Sequence, residues 1–484
     1  MAISEVVGDL EVSNPFSNII LPQAAEISEP IQQIPVLPED LFSWPPEKGA
    51  FILQKYLDTL PESERYTAFE PLVRKHWKWL CKAAPHLKFA EPMPLLEGQQ
   101  INIGFKTWGL THGGAERQIS LLASHLANDP RYHVTLFINE NQAGKLDYPI
   151  DPKITVKFIK ANFNNWAKII KEHPLDLIVL HENWNAENYI NILLCKLLGL
   201  RVLAHECNVI CCQNPFRNFQ EKLAYAQPLY SCCGAVSCLS GFDLTEWRKN
   251  GVPNSIFVPN PPTFNPDLIT PSTLESNNIL WVGRWDPGQK RPEMAIEVFA
   301  KVLQKIPNAR LTMAGAIQSR RCHRQCLRRI RELGIGHAVD IVGFQKDMVP
   351  IYSNGALLMS TSRFEGWGNM IMEAKAFGLP VVSTAMPYLE TLKRGAIQTP
   401  PNDVDALAEA IVDLLQNPEK RRRLGEEARQ DVLKNFSSEI VFAKYEALIE
   451  AILTGPDAVA KLCTAEPLMD AEAAEKILAD EAKA

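Results

Sequence analysis

A rhythm that runs twice along the chain limits what it can fold into. From 101–105 onward, short apolar runs alternate with segments of helical periodicity. Further runs follow at 134–138, 154–159, 176–181, 201–205 and 235–240. A second series starts at 279–283 and continues at 310–314, 339–342, 356–360 and 380–384. Between them, Val258-Pro-Asn-Pro-Pro-Thr-Phe-Asn-Pro266 interrupts the pattern, because proline lacks the N–H that a strand or helix needs. Near-continuous apolar strands between helices imply parallel sheets covered on both faces.

The chain therefore reads as an α/β protein of two Rossmann-like domains joined by a Pro-rich hinge. Ligands of such sheets bind outside the carboxyl ends of the strands, so a cleft between the domains is the expected site. At 484 residues the chain exceeds one ordinary core. A hydrophobic share of 46% and a charged share of 22% are ordinary for a globular protein. The net charge of −6 offers nothing to a nucleic acid. Eleven cysteines sit mostly in apolar stretches, as Cys238 does, which fits reduced thiols in a cytoplasmic setting. The start lacks the basic and apolar parts of a secretory signal. The best apolar run, 190–200, is broken by Lys196 and too short to span a bilayer. A soluble cytoplasmic protein is expected, in contact with a membrane at most peripherally.

Residues 1–95 form an extension outside the rhythm. Its first part, to Pro46, is acidic and Pro-rich and reads as extended. From 50 to 87 the pattern is helical, with Phe69, Leu72, Val73, His76 and Leu80 on one stripe and Arg74, Lys78 and Lys82 elsewhere. Trp77 and Trp79 among these basic residues suit a membrane interface or, as the favoured reading, docking on the main body. The domains are placed at 96–262 and 263–455, with the last helix able to pack back on the first. The tail, 456–484, is rich in Ala, Glu and Lys and shows no core-forming pattern.

Chemistry concentrates at 363–384, RFEGWGNMIMEAKAFGLPVVST. Glu365 sits in a glycine-flanked loop and Glu373 in the helix that follows. Gly366 and Gly368 permit a sharp turn and close approach to a ligand. The helix starting near Gly368 offers unpaired N–H groups to an anion, and carboxylates accept hydrogen bonds from sugar hydroxyls. Earlier in the same domain, Arg284 and Lys290 leave a strand tip around a bend at Pro287 and Gly288. Two cations aimed at one point suit a diphosphate leaving group. The stretch thus suggests a ligand carrying both phosphate and sugar. A metal is not called for: Asp403-Val-Asp405 opens a helix and reads as a cap. Cys207, Cys211, Cys212, Cys232, Cys233 and Cys238, and the pair Cys322 and Cys326, lack paired C-x2-C spacing and read as buried thiols. Six arginines between 320 and 331 form a solvated face or an anionic contact.

Four ordered motifs, HGGAERQISLLASHLA, VGRWDPGQKRPEMAIEVF, VDIVGF and FEGWGNMIMEAKAFGLPVVST, resemble the retaining glycosyltransferases of family 4, which have the GT-B fold. The spacing Glu365-x7-Glu373 is that family's acidic signature, and the resemblance covers about 100–450. It implies two Rossmann-like domains facing a central cleft and a nucleotide-diphosphate sugar as donor. It also implies a glycan, lipid-linked or other glycoconjugate acceptor, and no cofactor or metal. By position, Arg284 and Lys290 would neutralise the diphosphate, Glu373 would hold the ribose, and Glu365 the transferred sugar. The backbone through Gly366, Gly368, Asn369 and Met370 would face sugar and phosphate. Phe344 would lie by the base, and Gly113 and Gly114 would approach the diphosphate from the first domain. His205 matches the family's donor-sugar histidine, with His181 as its rival. The resemblance implies a hexosyl transfer with retention of configuration. A nucleotide-sugar epimerase of the same fold and a catalytically silent scaffold are the alternatives. A dehydrogenase is disfavoured, since no G-x-G-x-x-G opens a helix after either first strand.

Overall fold

The computed structural model describes residues 36–111, 113–144, 146–160, 166–181, 186–210 and 219–481. Expectations placed on the first 35 residues, and on Cys211 and Cys212, lie outside the described residues.

Both rhythms become all-parallel sheets. The first domain holds β1 (Ile101–Thr107), β2 (Tyr132–Asn139), β3 (Thr155–Ile159), β4 (Leu177–His181), β5 (Arg201–His205), β6 (Ala235–Cys238) and β7 (Ser255–Phe257), ordered β3-β2-β1-β4-β5-β6-β7. The second holds β8 (Asn278–Val282), β9 (Arg310–Ala314), β10 (Val339–Gly343), β11 (Leu357–Ser360), β12 (Val381–Thr384) and β13 (Ala396–Thr399), ordered β10-β9-β8-β11-β12-β13. Each order reverses beside the domain's first strand, and a ligand crevice opens at such a point. Every residue of β4 is buried, which is why it reads as an unbroken apolar run. β7 and β13 were not expected. They are short edge strands of three and four residues, with too few apolar positions to register.

Register sets up the site. His181 lies beside His205 in the β4–β5 pairing, and Ser237 lies beside His205 in the β5–β6 pairing. Three polar side chains thus meet at the carboxyl ends of adjacent strands.

The extension is docked on the first domain. It forms two helices, Pro46–Thr59 and Glu62–Ala83, rather than one stretch, parted at Leu60-Pro61. Phe69, Val73 and Leu80 are buried in one cluster with Tyr189, Leu193 and Tyr230. Trp77 stacks on Tyr189 with ring centroids 5.8 Å apart, and the Trp79 indole N–H donates to the Trp44 carbonyl at 2.8 Å. The basic residues take part as well. Lys78 pairs with Glu221 at 2.6 Å, and Lys82 lies 4.7 Å from the Tyr225 ring centre.

The carboxyl-terminal helices return to the first domain too. Helix Ser438–Thr454 buries Val441, Tyr445, Leu448 and Ile449 in a cluster with Phe105, Val134 and Leu203. The tail corrects the sequence reading. It forms helices Pro456–Thr464 and Ala471–Glu481, which bury Val459, Cys463, Ala474 and Ile477. Arg248 donates to the carbonyls of Cys463 and Glu466, at 2.6 and 3.3 Å. Four apolar positions spread over two short helices were too sparse to show as a stripe.

Because the extension shares the first domain's core, Phe69→Ala is expected to cost about 3–5 kcal/mol. The readout is the denaturant midpoint of the main unfolding transition. An unchanged midpoint would mean that the extension unfolds by itself.

Candidate active site between the domains

The sheets present their carboxyl ends to a cleft of about 700 Å³. Every residue singled out as catalytic or donor-binding lines it, His181 as well as His205.

The cationic loop leaves β8 and is braced against the segment that leaves its sheet neighbour β11. Gln289 is the brace. Its side-chain amide donates to the Phe364 carbonyl at 3.2 Å, its own carbonyl accepts from the Arg363 N–H at 2.8 Å, and its Oε1 accepts from Arg284 at 2.9 Å. Arg291 has left-handed backbone (φ 50°), and its Nε donates to the Thr361 carbonyl at 2.7 Å. So held, Lys290 forms an ion pair with Glu365 and approaches Met370 Sδ at 3.7 Å. The cation expected at the phosphate and the carboxylate expected at the sugar are direct neighbours. A lysine ammonium carries three donors, so the pair leaves Lys290 able to reach an anion as well.

The glycines at 366 and 368 serve two different needs. A side chain at Gly366 would place its Cβ 2.2 Å from the Cys207 carbonyl oxygen, so the close approach there is to the first domain's backbone. Gly368 is left-handed (φ 74°) and caps helix Asn369–Ala376. That helix is anchored by Lys375, fully buried, which pairs with Asp431 at 2.5 Å and donates to the Thr391 carbonyl at 3.0 Å. Asn369 donates to the Gly114 carbonyl at 3.0 Å, joining the two glycine-bearing loops across the cleft.

Glu373 is held from three sides. Its Oε1 accepts from Arg117 at 2.9 Å and from Thr263 at 2.8 Å, and its Oε2 accepts from the Tyr352 hydroxyl at 2.6 Å. Arg117 belongs to first-domain helix Gly114–Ala127, Thr263 to the linker, and Tyr352 to the second domain. A carboxylate offers about four acceptor positions, so one remains for a ligand hydroxyl.

His181 and His205 stack, with ring centroids 4.6 Å apart and planes 18° from parallel. Ser237 meets His205 Nδ1 at 2.6 Å. Burial holds both imidazoles below their ordinary range, His205 at about 4, and His205 pushes His181 lower still. Both are neutral at pH 7. Cys207 Sγ stands 3.4 and 3.5 Å from the two ring nitrogens of His181. These atoms are close enough to invite a metal, but near-parallel rings send their in-plane lone pairs side by side. A sulfur equidistant from both nitrogens is in line with neither. The trio is a polar wall whose two imidazoles are neutral.

Gln289, Arg117, Thr263, Tyr352 and Ser237 were not picked out as site residues. Arg117 stood inside the first quoted motif. Tyr352 and Thr263 carry no local signal, because only the fold brings them to Glu373.

Comparison with known proteins places the second domain. Residues 269–431, the segment with Lys290, Glu365 and Glu373, match the model of the glycosyl transferases group 1. The second domain belongs to that family. The group 1 domain and its partner are similar in fold to HepE of Anabaena, solved with UDP and glucose. That likeness has a TM-score of 0.62 at 18% identity and covers 72% of this chain and 99% of that one. Two sheets facing a cleft are thus the GT-B arrangement. Among curated relatives, an exopolysaccharide phosphotransferase of Streptomyces coelicolor is 24% identical over 394 residues, 72% of this chain and 41% of the relative. The N-acetyl-alpha-D-glucosaminyl L-malate synthase of Bacillus anthracis is 26% identical over 167 residues, 34% of this chain and 43% of the relative. The matched region spans less than half the length of each.

A double-mutant cycle of Arg117→Ala and Glu373→Gln is expected to give a coupling of about 1.5–3 kcal/mol, the range for hydrogen bonds to a charged group. Coupling near zero would remove the bridge. A pH effect follows from His205. Its native pKa lies below the ordinary 6.5, so it gains a proton only on unfolding. Its contribution is complete above about 6.5 and is lost as pH falls toward 4, on the order of 3 kcal/mol in all. Asp243, raised by burial to about 7, acts in the opposite sense in both proteins. The readout is therefore the difference in pH slope between wild type and His205→Gln, and equal slopes would contradict the burial of a neutral ring.

Proposed function

We propose that the cleft transfers a hexose from a nucleotide-diphosphate sugar to a glycan, lipid-linked or other glycoconjugate acceptor, with retention and without a divalent metal. The observation that carries this reading is the Lys290–Glu365 ion pair on adjacent strand tips, with Arg284 braced beside it. Breaking a glycosidic bond to a diphosphate piles negative charge on the leaving group, and fixed cations stabilise that charge as it develops. Arg284 and Lys290 do so here. Glu365 orients Lys290 and accepts from hydroxyls of the departing sugar, while the remaining acceptor position of Glu373 takes the ribose. Gly113 and Gly114 bound the diphosphate from the first domain, and Phe344 lies by the base.

His205 stays neutral where a charged imidazolium would oppose an oxocarbenium-like sugar. Ser237 fixes its ring through Nδ1, so contact with a sugar hydroxyl runs through Nε2. Glu365 is paired with Lys290 and Glu373 is held by three donors, so neither stands out as a nucleophile. Attack on the same face, assisted by the leaving phosphate, is therefore the route. Metal independence rests on the two cations. Asp403 caps a helix by accepting from the Ala406 N–H at 2.9 Å, and Asp405 pairs with Lys301 at 2.5 Å. UDP with glucose in HepE and the exopolysaccharide named for the Streptomyces relative support the donor and acceptor classes. Thiols at every described cysteine fit a cytoplasmic setting, and no helix among the described residues is long and apolar enough to cross a membrane.

The test is a donor screen over several nucleotide sugars, with and without EDTA, that identifies the released nucleotide. Nucleoside diphosphate release, unaffected by EDTA, is expected. Lys290→Ala and Glu365→Ala should each lower turnover by about 10²–10³-fold. Release of nucleoside monophosphate would overturn the reading in favour of sugar-phosphate transfer, and dependence on a divalent ion would sink the metal-free mechanism.

A further inference from the structure

Cys322 and Cys326 stand one turn apart on helix Arg320–Glu332, and both are buried. Their C-x3-C spacing alone gives two ligands on one helix face and no third. The fold supplies one. Glu293, in the first turn of helix Pro292–Lys305, brings Oε2 to 3.9 Å from Cys322 Sγ. The three ligand atoms all lie within 4.8 Å of one another. Sulfur and oxygen ligands of a tetrahedral ion, at about 2.3 and 2.0–2.2 Å from it, stand roughly 3.5–3.8 Å apart. The Glu293–Cys322 spacing needs an adjustment of a few tenths of an ångström, and no other pair needs more than about 1 Å. Asp286 adds negative charge that acts on both Cys322 and Glu293.

We propose that Cys322, Cys326 and Glu293 form a site for a thiophilic divalent cation of the zinc class, with water as fourth ligand. Binding displaces one proton from each thiol and leaves two thiolates and one carboxylate around the ion, a complex of net charge −1. The site therefore takes ions that bind sulfur and rejects hard ions such as Mg²⁺. It differs from the His181, His205 and Cys207 trio, whose lone pairs do not converge. Its position gives it a consequence. Glu293 follows the cationic loop by two residues, while Ser319 donates to the Trp285 carbonyl at 3.0 Å and His323 packs edge-on against the Trp285 ring. An ion joining the two helices stiffens the flanks of the loop that carries Arg284 and Lys290, which Gln289 and Arg291 brace without it.

The test uses the full chain, reduced and stripped of metal, titrated with Co²⁺ and then Zn²⁺. Expected is a thiolate-to-cobalt band with the visible bands of a tetrahedral site, saturating at one equivalent and bleached by Zn²⁺. Cys322→Ser with Cys326→Ser should abolish it, Glu293→Gln should weaken Co²⁺ at least tenfold, and Cys207→Ser should leave it intact. Absence of the band, its survival in the double variant, or its loss in Cys207→Ser would overturn the proposal. If the double variant does not fold, Glu293→Gln decides alone, since its side chain is exposed, and wild-type affinity there refutes the site.

Discussion

A carboxylate taken out of water costs several kcal/mol unless donors surround it, and at Glu373 those donors come from three separate parts of the chain. Arg117 arrives on a first-domain helix, Thr263 on the linker and Tyr352 from the second domain. Satisfying one charge thus requires both domains and their connection to be in place together. The same seam holds the Asn369–Gly114 hydrogen bond and the approach of Gly366 to the Cys207 carbonyl, which no larger residue would allow. The cleft owes its shape to this line of contacts.

The two walls of the cleft then differ in electrical character. On the second-domain side, Arg284, Lys290, Glu365 and Glu373 present full charges held in fixed geometry. On the first-domain side, burial keeps His181 and His205 neutral. That division depends on register, because a one-residue slip of β5 against β4 or β6 would separate His205 from both His181 and Ser237.

Much of this was legible in the residues. Doubly covered strands such as β4 and β5 carry the apolar runs 177–180 and 202–204, and Lys290, Glu365 and Glu373 stood in local patterns with their own chemical logic. What escaped detection depends on distance in sequence. Tyr352 and Thr263 reach Glu373 from 21 and 110 residues away, and Glu293 reaches Cys322 from 29. The tail helices escaped because Val459, Cys463, Ala474 and Ile477 are too few to outline a face, although each finds a buried place once the first domain exists to receive it. Lys78 and Lys82 stood off the apolar stripe with no visible partners, because Glu221 and Tyr225 lie far along the chain.

Helix Ser438–Thr454 returns to the first domain after the second is complete, so the polypeptide passes between the domains twice, at 258–266 and again near 436–438. A body joined by one strap can swivel in any direction; joined by two, it turns easily only about the line between them. Trp367 sits between these passages, with Phe257 at 6.3 Å on one side and Phe436 at 5.2 Å on the other. Trp367 thus packs against both connections at once, and Thr263 on the first of them also holds Glu373, so the two passages shape the cleft as well as join its halves.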